Sequence, residues 1–227
     1  GIPGLITSKI RRAPLVFEVR DLWPEAPLQM GALKSPILIG PARWLERTIY
    51  RHSAHIVALS PGMQDGIIAS GVPESKITVI PNASDLDLFS PKVDGSDLRA
   101  KLEIDGRFAC VYFGAMGKAN GLNFVLDAAV ELERRSEDDI VFVLHGQGKE
   151  RARLESRCHS EKLNNVIFSD PVADKEVIAC LAAAADVCMT IYKNVPVLYT
   201  CSPNKFFDSL AAGKPVLVNM PGWLKEI

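Results

Sequence analysis

The 227 residues carry 26 basic and 27 acidic side chains, a formal net charge of −1, and 48% hydrophobic residues. That balance offers no basic field to recruit nucleic acid, and the apolar content suffices for a sizeable core in one large domain or two smaller ones. Five cysteines without a Cys-x-x-Cys spacing and four histidines without a His-Glu-x-x-His array read as reduced thiols in a soluble cytosolic protein with no bound metal. The longest apolar run, from about Val177 to Tyr192, is interrupted by Asp186 and is unsuited to span a bilayer. No signal peptide is visible, and a start on Gly1 rather than Met is expected of a fragment.

In chain order, short β-branched runs predict strands over 15–19, 55–59, 77–80, 109–113, 140–144, 165–168, 186–190 and 215–219. Helical periodicity predicts helices over 41–52, 61–70, 121–135, 149–162, 174–184 and 203–212. Alternating strands and helices imply parallel sheets covered on both faces, with ligands bound at the carboxyl ends of the strands. The stretch from Ser90 to Gly106 breaks this rhythm with Asp94-Gly95-Ser96 and one short helical segment. A connection is therefore expected over 93–107, between an N-terminal domain over 1–92 and a C-terminal domain over 108–227. The N-terminal part has three strand candidates, too few for a complete doubly wound domain, so its opening strands are expected to be absent.

Chemistry-bearing residues collect after the C-terminal strands. Gly114-Ala-Met-Gly117-Lys118-Ala-Asn120-Gly121 follows one strand, a turn in which backbone can approach a phosphate and Lys118 can reach its charge. It is neither a P-loop nor a Gly-x-Gly-x-x-Gly fingerprint, and an ordinary strand-to-helix turn is the alternative. His145-Gly146-Gln-Gly148-Lys149 places a second glycine pair at a strand end. In Ser202-Pro203-Asn204-Lys205-Phe206-Phe207-Asp208, Ser202 is expected to cap a helix whose first position is Pro203. The N–H groups of Asn204 and Lys205 would then favour an anion, with Asp208 one turn further on the same face. Phe206, Phe207, Leu210 and Ala211 form the buried stripe, Gly213 ends the helix in the left-handed region, and Pro215-Val-Leu-Val reads as a buried strand. A capped surface helix with a solvated Asp208 would use the same residues.

The order of these motifs resembles the family-four glycosyltransferases of the GT-B fold, retaining enzymes that use nucleotide-diphosphate sugars. The resemblance rests on VFEVRDLWPEAPLQMGAL, LERTIYRHSAHIVALSPGM and SGVPESKITVIPNASDLDLFSP in the N-terminal half. In the C-terminal half it rests on VYFGAMGKANGL, VLHGQGKE and PNKFFDSLAAGKPVLVNMPGWLKEI. The wording Asp-Leu-Trp-Pro-Glu and Pro-Asn-Lys-Phe-Phe-Asp is similar to the branch that builds bacterial surface polysaccharides, including N-acetylfucosamine transferases.

The resemblance implies two Rossmann-like domains facing a cleft, the N-terminal one incomplete and the C-terminal one without its closing tail. It implies a donor site in the C-terminal domain and an acceptor site in the N-terminal one, with no metal and no cofactor. The donor would be a UDP-N-acetyl(deoxy)hexosamine and the acceptor a lipid-linked saccharide at the inner face of the plasma membrane. Gly114, Gly117, Gly121 and Lys205 would face the diphosphate, Gly146, Gly148, Lys149 and the Pro171-Val172 loop the nucleotide. Asn82 and Asp85 mark the domain junction. Asp208 falls where many members carry the second Glu of a paired-Glu motif that holds the ribose. The first Glu falls at Thr200, which supplies no carboxylate.

The loop's usual Arg and Lys fall near Ala115 and Asn120, which leaves Lys118 and Lys205 to neutralise the diphosphate. Arg20, with Asp21, stands where members commonly have histidine; the two could bind sugar or form a structural ion pair. Arg43, Trp44, Arg47, Tyr50 and Arg51 could present a basic aromatic face to a membrane, or their helix could pack on a core through Leu45 and Ile49. Trp23 and Trp223 read equally as packing or sugar-stacking residues. A sugar-nucleotide epimerase and a non-catalytic nucleotide-binding protein are the competing functions.

Overall fold

A computed structural model describes residues 1–227 except Pro171 and Ala173. The chain packs into two compact units. One comprises Gly1–Asn82, Asn194–Ser202 and Met220–Ile227, the other Ala83–Lys193 and Pro203–Asn219.

In the first unit, α1 (Ile2–Arg11), β1 (Val16–Val19), α2 (Glu25–Gln29), α3 (Pro36–His52), β2 (His55–Ala58), α4 (Pro61–Ala69) and β3 (Ile77–Val79) follow in order. The strands form a parallel sheet in the order β1-β2-β3, with Val16 opposite His55 and Ile56 opposite Ile77. The central strand is buried at Ile56 and Ala58. β1, expected as a buried strand, leaves Val16 59% exposed and buries only its end at Val19. α3 starts five residues earlier than the pattern suggests because Pro36 occupies its first turn, where the missing N–H costs nothing. The helices α1 and α2 were not anticipated; α1 carries Ile2, Leu5, Ile6 and Ile10 at helical spacing yet buries no residue. Ser60 caps α4, accepting the Met63 N–H and donating to the Thr200 carbonyl.

In the second unit, α5 (Ser96–Lys101), β4 (Phe108–Phe113), α6 (Asn123–Arg134), β5 (Ile140–His145), α7 (Arg151–Glu161), β6 (Val166–Ser169), α8 (Lys175–Ala184), β7 (Val187–Thr190), α9 (Asn204–Ala211) and β8 (Val216–Val218) build a parallel sheet in the order β6-β5-β4-β7-β8. Alternate residues on β4 and β5 feed opposite cores. Cys110, Tyr112, Phe142 and Leu144 pack with α6 and α7, while Ala109, Val111, Val141 and Val143 pack with α8. Residues 93–107, expected as a connection, carry α5 and place Ile104 in the second of these cores. The strand read as buried after Pro215 is an edge strand with Leu217 42% exposed. Pro215 lies just before it, where no ladder N–H is required.

The strand order reverses between β4 and β7, so the crevice beyond their carboxyl ends is the ligand position that such a sheet provides. Below it, Arg99 holds the chain together: its guanidinium donates to the carbonyls of Ala184, Ile104 and Arg107 at 2.7, 3.2 and 2.6 Å and to Asp186 at 3.1 Å. Arg99→Met removes every one of these donors. The expected result is a loss of about 2–4 kcal/mol in urea unfolding, read as a lower midpoint.

Candidate functional site

Both glycine turns at the carboxyl edge are shaped by contact between backbones. Gly114 (φ 134°) and Gly146 (φ 143°) follow β4 and β5 directly, and a Cβ on Gly146 would lie 1.9 Å from the Gly114 carbonyl oxygen. A Cβ on Gly148 would lie 2.3 Å from the Met116 oxygen. The pairing is completed by N–H bonds from Gly114 to His145 and from Met116 to Gln147. Only glycine permits this approach, because a side chain would collide and the positive φ would strain it. Gly121 also has positive φ (58°), whereas Gly117 does not.

Lys205 reaches this edge from the first turn of α9. Its Nζ is buried without a hydrogen-bond partner, 3.8 Å from the Tyr112 ring centroid and 5.9 Å from that of Tyr192. The same Nζ would lie 3.1 Å from a Cβ built on Gly114. Burial among rings and backbone lowers its pKa to about 7. α9 begins at Asn204 with Pro203 as its cap and no side-chain capping bond. The expectation of Ser202 as cap therefore fails: the Ser202 hydroxyl accepts the Asn82 N–H at 3.2 Å and its carbonyl accepts the Asn82 side-chain amide. Asn204 is exposed ahead of the first intrahelical bond, made by the Phe206 N–H to Pro203. One turn on, Asp208 accepts a 2.7 Å bond from Ser84; burial raises its pKa against that bond's opposing effect.

The remaining second-unit candidates divide. Asn120 is buried and its side-chain oxygen accepts the Gly117 N–H at 3.1 Å, so it braces the loop. Lys118 and Lys149 are exposed. Val172 is exposed and its backbone lies 3.4 Å from His145 Nε2. Pro171 lies outside the described residues. Sequence reasoning missed His145, whose Nδ1 meets the Ser169 hydroxyl at 2.7 Å, and burial depresses its pKa. It also missed Tyr112 and Ser84. A cavity of about 310 Å³ is lined by Gly114, Ala115, His145, Gly146, Gln147 and Val172, among others.

The first unit holds the other candidates. Arg20 pairs with Glu18 at 2.8 Å, not with Asp21, and donates to the Asn82 side chain at 3.4 Å. Asp21 lines a cavity of about 110 Å³ with Arg20, Trp23, Glu46 and Tyr50, and burial raises the pKa of both carboxylates. The Thr200 hydroxyl is spent on the Val197 carbonyl at 2.9 Å. Asn82 is the last residue of this unit's main segment, while exposed Asp85 belongs to the other. On α3, Arg43, Trp44, Arg47 and Arg51 are exposed, but Tyr50 is 3% exposed and turns inward with Ile49. Trp223 donates to the Cys201 carbonyl at 2.8 Å, and Trp23 is 44% exposed. Among the described residues no group of three or more His, Cys, Asp or Glu side chains could hold a metal, and no helix is long and apolar enough to cross a membrane.

Comparison with known proteins bears on the family and the fold. Residues 1–83 match the model of the glycosyl transferase 4-like domain, and residues 107–227 match that of the glycosyl transferases group 1. The chain is 26% identical over 218 residues to a putative colanic acid biosynthesis glycosyl transferase, WcaI, of Escherichia coli K12, covering 93% of this chain and 52% of that one. It thus spans about half of that relative's length. The crystal structure of Anabaena HepE in complex with UDP and glucose superposes with a TM-score of 0.77 at 25% identity, covering 99% of this chain and 58% of that one. WaaG, a glycosyltransferase involved in lipopolysaccharide biosynthesis, shares the fold at 16% identity, with a TM-score of 0.66 over 89% of this chain and 55% of its own.

Two substitutions test the geometry. Gly146→Ala should cost more than about 2 kcal/mol by chemical denaturation, while Gly117→Ala, whose Cβ would meet Asn120 at an ordinary 3.5 Å, should cost under about 1 kcal/mol. For Lys205, the folded state binds fewer protons than the unfolded chain between pH 7 and 10.5, so stability rises with pH across that window. Lys205→Met should therefore stabilise the protein most near pH 7, by roughly 2–4 °C in Tm per kcal/mol gained. That gain should fade towards pH 10.5 in a series of thermal melts.

Proposed function

We propose, from the premise that the chain belongs to the glycosyl transferases group 1, that it binds a UDP-sugar at the β4/β7 crevice and moves the sugar to an acceptor. The observation that carries this reading is the buried, unpartnered Lys205 ammonium beside Gly114 at the start of α9. A buried cation without a partner is costly, and a diphosphate is the group that would complete it. The complexes of HepE with UDP and glucose and with UDP-glucose support the choice of ligand.

In the reaction the bond from the anomeric carbon to the β-phosphate oxygen breaks, its electron pair leaving on the diphosphate. An acceptor hydroxyl forms the new bond to the anomeric carbon, and its proton passes to the departing diphosphate. Lys205 and the N–H groups of Asn204 and Lys205 meet the charge that develops, and the two glycine turns let it approach backbone. Asp208 accepts from the ribose hydroxyls through the lone pairs that Ser84 leaves open. Transfer proceeds with retention, from a UDP-N-acetyl(deoxy)hexosamine to a lipid-linked saccharide in bacterial surface polysaccharide synthesis, at the inner membrane face. This finer identity rests on the sequence resemblance, and the exposed Arg43, Trp44, Arg47 and Arg51 suit contact with that membrane.

One observation favours a second reading, binding without turnover: Thr200 brings no carboxylate and its hydroxyl is engaged with Val197.

Calorimetric titration with UDP and with UDP-N-acetylhexosamines tests the proposal. Lys205→Ala and Asp208→Ala should each weaken binding by about 10- to 100-fold, the loss expected for a bond to a charged group. Unchanged affinity in both variants would remove the donor from this crevice. Conversion of the UDP-sugar without any acceptor would instead identify an epimerase.

A further inference from the structure

We propose that Tyr112 and Tyr192 are positioning residues whose rings hold the Lys205 Nζ at the glycine turn without a counter-ion, so that the diphosphate supplies the missing charge and its binding draws a proton onto the lysine. The inference rests on the reading of this crevice as a nucleotide-diphosphate site.

The groups around Lys205 are unusual in what they lack. From β4 it meets the face of Tyr112 at 3.8 Å; from the segment after β7, Tyr192 at 5.9 Å; from the β4 turn, the backbone of Gly114. On its own helix, Ser209 donates to the Lys205 carbonyl at 2.6 Å. Asp208, the acid in that helix, is bonded to Ser84 and feels Lys175 and Asp85. Among the described residues no salt bridge includes Lys205. A carboxylate in place of either tyrosine would satisfy the lysine and also repel a diphosphate. A ring face attracts the cation through its quadrupole and adds no formal charge.

Tyr112 does a second task. It is fully buried and its hydroxyl donates to the Ala115 carbonyl at 2.6 Å, so one side chain fixes the turn and the lysine together. Burial raises its own pKa far above the usual phenol value, which keeps that donor protonated. With Lys205 at about 7, the lysine is mostly neutral at pH 8, where the phosphates of UDP are fully ionised. Only the protonated lysine pairs with them, so the proton must come from the buffer.

The test is titration of UDP at pH 8 in two buffers of different ionisation enthalpy, which counts protons taken up. The wild-type chain should take up roughly half to one proton per UDP, and Lys205→Met close to none. Tyr112→Leu and Tyr192→Leu should each weaken UDP by about tenfold, as the ring no longer holds Nζ in place, and lower the proton count, as water replaces the ring and more of the lysine is charged beforehand. Tyr112→Phe, which keeps the ring, should restore the count. Tyr192→Leu keeps the test valid if Tyr112→Leu fails to fold. UDP binding to wild type without proton uptake, or leucine variants with wild-type affinity and count, would overturn the inference while leaving the nucleotide site in place. No UDP binding by the folded chain would overturn the site itself and the inference with it.

Discussion

Everything at the carboxyl edge of the five-stranded sheet follows from the approach of two backbones. The Gly146 Cα stands where a further carbon would lie 1.9 Å from the Gly114 oxygen, and the next glycine meets the Met116 oxygen at 2.3 Å. With glycine at 114, 146 and 148, the turns after β4 and β5 meet through their peptide groups. This contact leaves a slot above Gly114, and the slot is filled by the end of Lys205. A bulkier residue at either turn would displace the other turn, the lysine and the cavity edge at Ala115 and Gln147 together.

That slot sets its own electrostatics. A lysine stem packs readily among aromatic rings, but its ammonium group loses its water there without regaining a hydrogen bond. The structure carries this cost at one point instead of relieving it with a local acid. Strain of this kind is expected at sites that await a charged ligand. The contrast with Arg99 in the same unit is direct. Arg99 is also largely enclosed, yet four donors find four acceptors, so its role ends with holding α5 to the segments around it.

The sequence made the strands of both units legible to within two residues, because period-2 apolar runs on β4 and β5 face two separate cores and leave little freedom. It misplaced what depends on neighbours far along the chain. Ser202 has the local signature of a helix cap, but Asn82, 120 positions away, takes both its hydroxyl and its carbonyl. Pro215-Val-Leu-Val has the composition of a buried strand and becomes an edge strand. In the site, the glycines and Lys205 were visible as residue types at strand ends. Tyr112 was hidden, since a tyrosine inside an apolar run reads as core; only the ring's contact with Lys205 and its bond to Ala115 reveal more. Ser84, two residues past Asn82 in a polar turn, gave no signal at all.

Asp208 and Asp21, one in each unit, sit in different surroundings. Asp208 is partly committed, one oxygen accepting from Ser84, and burial lifts its pKa only against that bond. Such a carboxylate stays oriented and can still receive a second pair of hydroxyls, which suits a holding role. Asp21 lies beside an arginine that has turned to Glu18, in a cavity that Glu18 and Glu46 also line, and burial shifts the pKa of Asp21 and Glu46 upward. Burial beside the Phe17, Trp23 and Tyr50 rings disfavours the charged form of both carboxyls, whereas at Asp208 the Ser84 bond works against burial.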